Sequence, residues 1–195
     1  MTRRVVVVGA ESTGTTTLVR ELCDGYRARG GEWAQTQWVR EFGRDMSFIK
    51  LDRLRTSGFD NPTMDDLTWT TEDFVEIALE QNRLEDEAAL VSGPLLLCDT
   101  DALATMVWEE RYLGTHSPEV ESLILHQPRA LYILTSDEGV AFEADEIRDG
   151  EHLRSDMTQR FRELLRSGPT PWIELDGVNH DERVRRATAA IDALF

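Results

Sequence analysis

The chain has 195 residues, with 37 acidic against 21 basic side chains, a net charge of −16 and a pI near 4.6. That length fits one α/β domain with a sizeable core, and the charge argues against a nucleic-acid binder, which needs a basic face. Cys23 and Cys98 fall in predicted core elements and give neither a disulfide framework nor a metal cluster; with no leader-like segment and no apolar run near the ~20 residues that span a bilayer, a cytoplasmic protein is expected.

Residues 4–9, with Val5-Val6-Val7-Val8, read as a buried parallel strand, and residues 15–29 as a helix that ends near Gly30-Gly31. Between them runs Gly9-Ala10-Glu11-Ser12-Thr13-Gly14-Thr15-Thr16-Thr17. Strand, glycine-bracketed loop and helix in that order turn successive N–H groups toward one point at a helix N-terminus, where a phosphate is favoured. Gly9 and Gly14 have the Walker A spacing, Thr15 stands where the lysine is expected, and Thr16 holds the hydroxyl position that ligates magnesium. The expected nucleotide-binding residues are Gly9, Glu11, Ser12, Thr13, Gly14, Thr15, Thr16 and Thr17. Lys50 is the single lysine of the sequence, so almost all cations are arginines.

Residues 32–38 hold a short second strand candidate, followed by a mixture of aromatic and charged groups from Trp38 to Asp45. Residues 46–62, with turn signals at Ser57-Gly58 and Asn61-Pro62, read as a loop or short helix at a site entrance. Thr70-Thr71-Glu72-Asp73 starts a helix with threonine capping and early acids, and Phe74, Ile77, Ala78, Gln81, Leu84 and Ala88 follow on one face. A polar Gln81 in that stripe is either satisfied by backbone or in contact with a substrate.

Leu95-Leu96-Leu97-Cys98-Asp99-Thr100-Asp101 is a buried strand that ends in acids, at the edge where parallel sheets open a ligand crevice. Asp99 there is a Walker B type carboxylate that would hold Mg²⁺ opposite the Thr16 hydroxyl, or a cap for the helix that starts near Ala102; the two roles can coexist. A helix over 102–113 ends at Gly114, a helical piece covers 118–125, and 130–134 reads as another buried strand. Residues 136–155 are rich in charge and fit a mobile lid that would bring Arg148 and Arg154 to the transferring phosphoryl group, against the competing reading of a solvated surface helix. A helix over 157–165, a strand over 172–175 and an amphipathic helix with Val184, Ala187, Ile191 and Leu194 complete an α/β unit of doubly wound or kinase-like type.

The loop at 9–14, the block Arg40-Glu41-Phe42-Gly43-Arg44, the helix residues Asp73-Phe74, Ile77-Ala78 and Gln81, and Cys98-Asp99-Thr100-Asp101 with Val107-Trp108, Tyr112 and Gly114 resemble the ribosylnicotinamide kinase domain of bifunctional NadR-type proteins. Residues 142–148 are similar to that family's lid pattern Trp-x-x-Asp-Gly-x-Arg, with Phe142 for the tryptophan and Glu146 for the glycine. The resemblance implies a P-loop, three-layer α/β/α fold of the nucleoside and nucleotide kinase kind, with a central parallel sheet and an arginine-bearing lid. It also implies Mg²⁺-dependent transfer of the ATP γ-phosphoryl group to the 5′-hydroxyl of nicotinamide riboside, by the kinase part alone, without the adenylyltransferase or DNA-binding portion.

The substrate residues it suggests are Trp38, Glu41, Arg44, Gln81 and Asp101, with Glu41 and Asp101 on ribose hydroxyls and Asp99 or Asp101 as acceptor of the hydroxyl proton. A cationic pyridinium suits an acidic, aromatic-lined site, for which Trp38, Phe42, Trp69 and Trp108 are the stacking candidates. Thr15 departs from the family pattern, and the missing charge is expected from Arg148, Arg154 or Lys50. The other class of protein that fits these residues is a nucleotide-binding module without phosphoryl transfer, acting as a sensor or partner-binding protein; a kinase for another nucleoside also fits.

Overall fold

The computed structural model describes residues 2–126, 128–143, 150–177 and 179–195. Five strands, β1 (Arg3–Gly9), β2 (Gln37–Val39), β3 (Leu95–Asp99), β4 (Leu131–Thr135) and β5 (Trp172–Leu175), form one parallel sheet in the order β2-β3-β1-β4-β5. β1 is central because both of its faces are covered, and a strand in that position has to be apolar at every residue. Val5, Val6, Val7 and Val8 are accordingly at most 1% exposed.

The side-chain alternation of β1 divides the core in two. Val5 and Val7 pack with Leu18, Leu22 and Tyr26 of α1 (Thr15–Ala28) and with Ala187 and Ile191 of α7 (His180–Asp192). Val6 and Val8 face the other way, onto Leu84 of α3 (Thr71–Val91), Leu103 and Val107 of α4 (Ala102–Leu113) and Phe161 of α6 (Arg154–Ser167). The fold is therefore the expected parallel sheet between two helical layers. Register aligns the carboxyl edges: Val7 lies opposite Asp99 and Gly9 opposite Thr135, so the phosphate-loop glycine, the β3 acid and the end of β4 meet at one rim.

Two stretches differ from the expectation. Most of the strand candidate at 32–38 is a 3-10 turn, Gly31–Gln35, and β2 begins only at Gln37. Gly30 and Gly31 have φ of 72° and 58°, which reverses the chain, and Trp33 is drawn onto Tyr26 and Phe195 at ring separations of 5.2 and 4.9 Å. The stretch at 46–62, read as a loop or short helix, starts inside a regular 15-residue helix, α2 (Phe42–Thr56). Met46, Ser47 and Leu51 point inward while Phe48 and Ile49 stay exposed, so apolar residues occupy both faces and no period stands out.

Beneath the rim is a buried charge network. Arg129 pairs with Glu85 of α3 at 2.6 Å and with Asp101 at 3.1 Å, and the Tyr132 hydroxyl donates to Asp101 at 2.7 Å. Burial pushes the Glu85 carboxyl up to about 7 despite the Arg129 charge beside it. Asp101 also caps α4 by accepting the Leu103 N–H at 3.0 Å.

Candidate active site

At the junction of β1 and α1 the chain has to leave the sheet in the space of a few residues. A Cβ on Gly9 would lie 2.3 Å from Thr135 Oγ1 and 2.6 Å from Thr13 Oγ1, so no side chain fits there. Gly14, at φ 84°, supplies the left-handed turn into α1, and Ser12 shares that region at φ 57°. Thr13 is buried and turned inward: its hydroxyl donates to the Ala10 carbonyl at 2.8 Å and pairs with the Thr135 hydroxyl at 2.7 Å. From behind, Arg183 of α7 donates to the Thr13 and Ser136 carbonyls, each at 2.8 Å. The loop is thus held from below, with its amides on the side of the cleft.

The cleft has an empty volume of about 990 Å³ including its open mouth, and its floor runs from Gly9, Glu11, Ser12, Thr15 and Thr16 past Asp99 to Glu41, Arg44 and Gln81. Asp99 is 3% exposed, and its Oδ2 accepts the Thr16 hydroxyl at 2.6 Å. Burial pushes this carboxyl up to about 6, against the pull of the Thr16 and Thr15 hydroxyls. Glu41, half-buried at the start of α2, is pushed up to about 8, first by burial and then by the charge of Asp99, with Arg44 opposing.

Both carboxyls hold protons more tightly in the folded chain than in the unfolded one. The fold therefore loses stability as pH rises from their ordinary values near 4 through about 6 for Asp99 and about 8 for Glu41. The midpoint of thermal unfolding of the unliganded protein is expected to fall between pH 5 and pH 8.5, and Glu41→Gln to flatten the upper half of that fall; an unchanged slope in the variant would count against this assignment.

Magnesium takes one or two oxygen ligands from protein and the rest from phosphates and water. The Thr16 hydroxyl and the Asp99 carboxylate, already within 2.6 Å of each other beside the loop, are donors of that kind, and their site fits the ion. Among the described residues no group of three or more His, Cys, Asp or Glu side chains forms a metal cluster made of protein alone.

One wall of the cleft is aromatic. Trp69 lies 5.4 Å from Phe74 and 5.3 Å from Tyr112, and Trp108 lies 6.4 Å from Tyr112, measured between ring centroids; all four line the cavity. Gln81 is 1% exposed, its Oε1 accepts the Phe42 N–H at 3.0 Å, and it lines the cavity as well. Its Nε2 and the Trp69 Nε1 are buried donors without a partner among the described residues.

Several expected site residues stand elsewhere. Trp38 packs partly buried against the core beside α1, and Phe42 packs beside Met46 and Phe74; neither lines the cleft. Asp101 is fully buried in the network under the rim, with Oδ1 capping α4 and Oδ2 held by Arg129 and Tyr132, which corrects its reading as a ribose ligand or base. Gly14, Thr13 and Thr17 do not line the cavity. Arg154 lies behind the loop and donates to the Val140 and Ser12 carbonyls at 2.9 and 3.3 Å. Lys50 is bound to Asp73 at 2.5 Å and sits over the Trp69 ring. Arg148 lies outside the described residues.

Several residues escaped the sequence reading as site residues, Tyr112 of the aromatic wall among them. Ser47 and Met64 line the cleft from a stretch without a visible period, Phe74 was indistinguishable from its core-facing neighbours, and Arg111 reaches the loop by pairing with Glu11 at 2.9 Å. The available signal for Arg111 was its place one turn after Trp108 and beside Tyr112.

The all-parallel sheet, the glycine-bracketed loop at its rim and the cleft above them define a P-loop domain of the nucleoside and nucleotide kinase fold. A sequence profile described as an AAA domain matches residues 4–183, and the chain belongs to that family. It is 25% identical over 195 residues to the trifunctional NAD biosynthesis/regulator protein NadR of Salmonella typhimurium and, equally, of Escherichia coli, covering 99% of this chain and 43% of theirs. The chain thus spans less than half the length of these relatives. Among solved structures it is similar to NadR in complex with NR (TM-score 0.66, 19% identity, 99% of this chain and 49% of that one). It is likewise similar to NadR in complex with NAD and AMP-PNP (TM-score 0.69, 18% identity, with the same coverage). Thymidylate kinase from Ehrlichia chaffeensis matches over 97% of this chain and 98% of its own at TM-score 0.66 and 10% identity. No described helix is long and apolar enough to cross a membrane.

Proposed function

We propose that this domain is a nucleoside kinase that transfers the γ-phosphoryl group of ATP to the 5′-hydroxyl of nicotinamide riboside. The observation that carries the reading is a single cleft lined together by the phosphate loop, by Asp99 and by a box of four aromatic rings. Relatives named for NAD biosynthesis and a similar fold described with NR bound support the choice of acceptor.

In this reading the amides of residues 9–15 take the β- and γ-phosphates, and Thr16 and Asp99 would hold Mg²⁺, which would supply charge neutralisation for the phosphoryl oxygens. Trp69, Trp108 and Tyr112 face the pyridinium, whose permanent charge is attracted by ring faces and by the acidic floor. Gln81 Nε2 and Trp69 Nε1 offer donors to the acceptor, which removes the cost of leaving them unpaired. Glu41 holds a ribose hydroxyl, and a carboxyl poised near 8 suits proton exchange at neutral pH.

Turnover with Mg·ATP on nicotinamide riboside, thymidine and uridine tests this, and the highest kcat/KM is expected on nicotinamide riboside. Nucleotide binding with no turnover on any nucleoside would sink the enzyme and leave a nucleotide-binding module; a preference for thymidine or uridine would overturn the acceptor alone.

A further inference from the structure

Thr15 leaves the phosphate loop without the cation that normally bridges the β- and γ-phosphates. Of the expected replacements, Lys50 is bound to Asp73, and Arg154 is committed to the carbonyls of Val140 and of Ser12 in the loop itself. A second arginine meets the loop through a side chain. Arg111, near the end of α4, places Nη1 2.9 Å from Oε1 of Glu11, and the Arg111 side chain is 6% exposed. Its guanidinium carbon lies 4.9 Å from the Trp108 ring centroid and 4.8 Å from that of Tyr112.

We propose that Arg111 supplies the positive charge that Thr15 lacks, turning to the transferring phosphoryl group from its place against Glu11 at the edge of the cleft lining. The proposal rests on the kinase reading for its chemistry and on three local features for its geometry. Glu11 belongs to the loop itself, so a guanidinium paired with it is already beside the phosphate site. The faces of Trp108 and Tyr112 fix the plane of the guanidinium, so that ordering it costs little when the nucleotide arrives. Gly150 approaches the same guanidinium: a Cβ there would fall 2.5 Å from Arg111 Nη2, while the Gly150 N–H donates to Glu11 Oε2 at 2.9 Å.

Glu11 therefore keeps a donor even if Arg111 turns toward a phosphate. A guanidinium carries five N–H donors in a rigid fork and can hold a carboxylate and a phosphoryl oxygen together, which a lysine ammonium does less well. Until nucleotide binds, Glu11 neutralises Arg111, so the aromatic box does not repel a cationic acceptor. In this buried cleft the charge acts in a low dielectric, where removal of one such group from a transition state lowers turnover by about 10²- to 10³-fold.

The test is a binding and rescue series with the whole chain. Arg111→Met is expected to weaken AMP-PNP at least about tenfold more than AMP, measured by calorimetry with Mg²⁺ present, and to lower kcat by about 10²-fold or more. Thr15→Lys in the Arg111→Met background is expected to restore at least about tenfold in kcat, a rescue that a merely structural arginine would not show. Arg111→Lys, which keeps the charge and loses the fork, should fall between, and it carries the test if the methionine variant fails to fold.

Equal weakening of AMP-PNP and AMP, no rescue by Thr15→Lys, or the full loss appearing in Arg44→Ala and not at Arg111 would overturn the assignment. Selectivity for the triphosphate is read without turnover. Should no nucleoside be phosphorylated while Arg111→Met still loses that selectivity, the kinase reading fails and the role of Arg111 toward the phosphates stands.

Discussion

Asp99→Ala is expected to lower kcat about a thousandfold, the scale of losing one charge-positioning group at a phosphoryl or acyl centre, and to leave the fold intact. The carboxylate is 3% exposed, its Oδ2 is 2.6 Å from the Thr16 hydroxyl, and it lines the cleft that the loop and the aromatic rings also line. Burial raises its proton affinity, so its ionised form opposes folding above about pH 6. The alanine variant should therefore match or exceed the wild-type thermal midpoint at pH 7.5 in the absence of ligand, the signature of a group retained for chemistry at the expense of stability. Steady-state phosphorylation and thermal scans on the same preparation check both halves. Turnover within tenfold of wild type would remove Asp99 from the mechanism, and a lowered midpoint would show that the carboxylate supports the fold.

Asp101→Ala, two residues on, is expected to do the opposite. It leaves Arg129, whose side chain is 2% exposed, with Glu85 alone, strands the Tyr132 hydroxyl and removes the cap of α4. Breaking a buried ion pair on one side costs about 3–5 kcal/mol, and loss of a helix cap adds about 1 kcal/mol. Denaturant unfolding should show a loss of that size, with Asp101→Asn milder because it retains an oxygen for the cap. The KM for the acceptor should be unchanged in whatever fraction stays folded. An altered KM with unchanged stability would return Asp101 to the substrate.

The contrast between these two acids marks how far the sequence could be read. Four valines in a row, two glycines at the right spacing and a helix behind them required the strand, the loop and their place at a sheet edge, since a strand buried on both faces is legible as an unbroken apolar run. A strand that ends in Asp99-Thr100-Asp101 announced acids at the same rim, but not which of them turns inward. That choice follows from Arg129 and Tyr132, which reach Asp101 from 28 and 31 residues away.

The aromatic box was only half legible, Trp69 and Trp108 standing among the stacking candidates and Phe74 and Tyr112 not, for a related reason. Trp69, Phe74, Trp108 and Tyr112 come from the approach to α3, from α3 itself and from α4, and nothing local separates a ring facing a cleft from a ring filling a core. Trp38 and Phe42, equally aromatic, went to the core. α2 was obscured because Phe48 and Ile49 lie on its solvent face. Thr15 raised the question of where a replacement cation would come from, but the sequence could not point to Arg111, which is 100 residues from its partner Glu11 and is brought to it only by the packing of α4 against the loop.

The most direct measurement is ³¹P NMR of Mg·ATP with the protein and nicotinamide riboside. The account predicts that the γ-phosphate resonance declines as a phosphomonoester resonance of the mononucleotide grows in equal amount, with no such conversion in Asp99→Ala. An unchanged ATP spectrum, or loss of the γ resonance to inorganic phosphate alone, would contradict it.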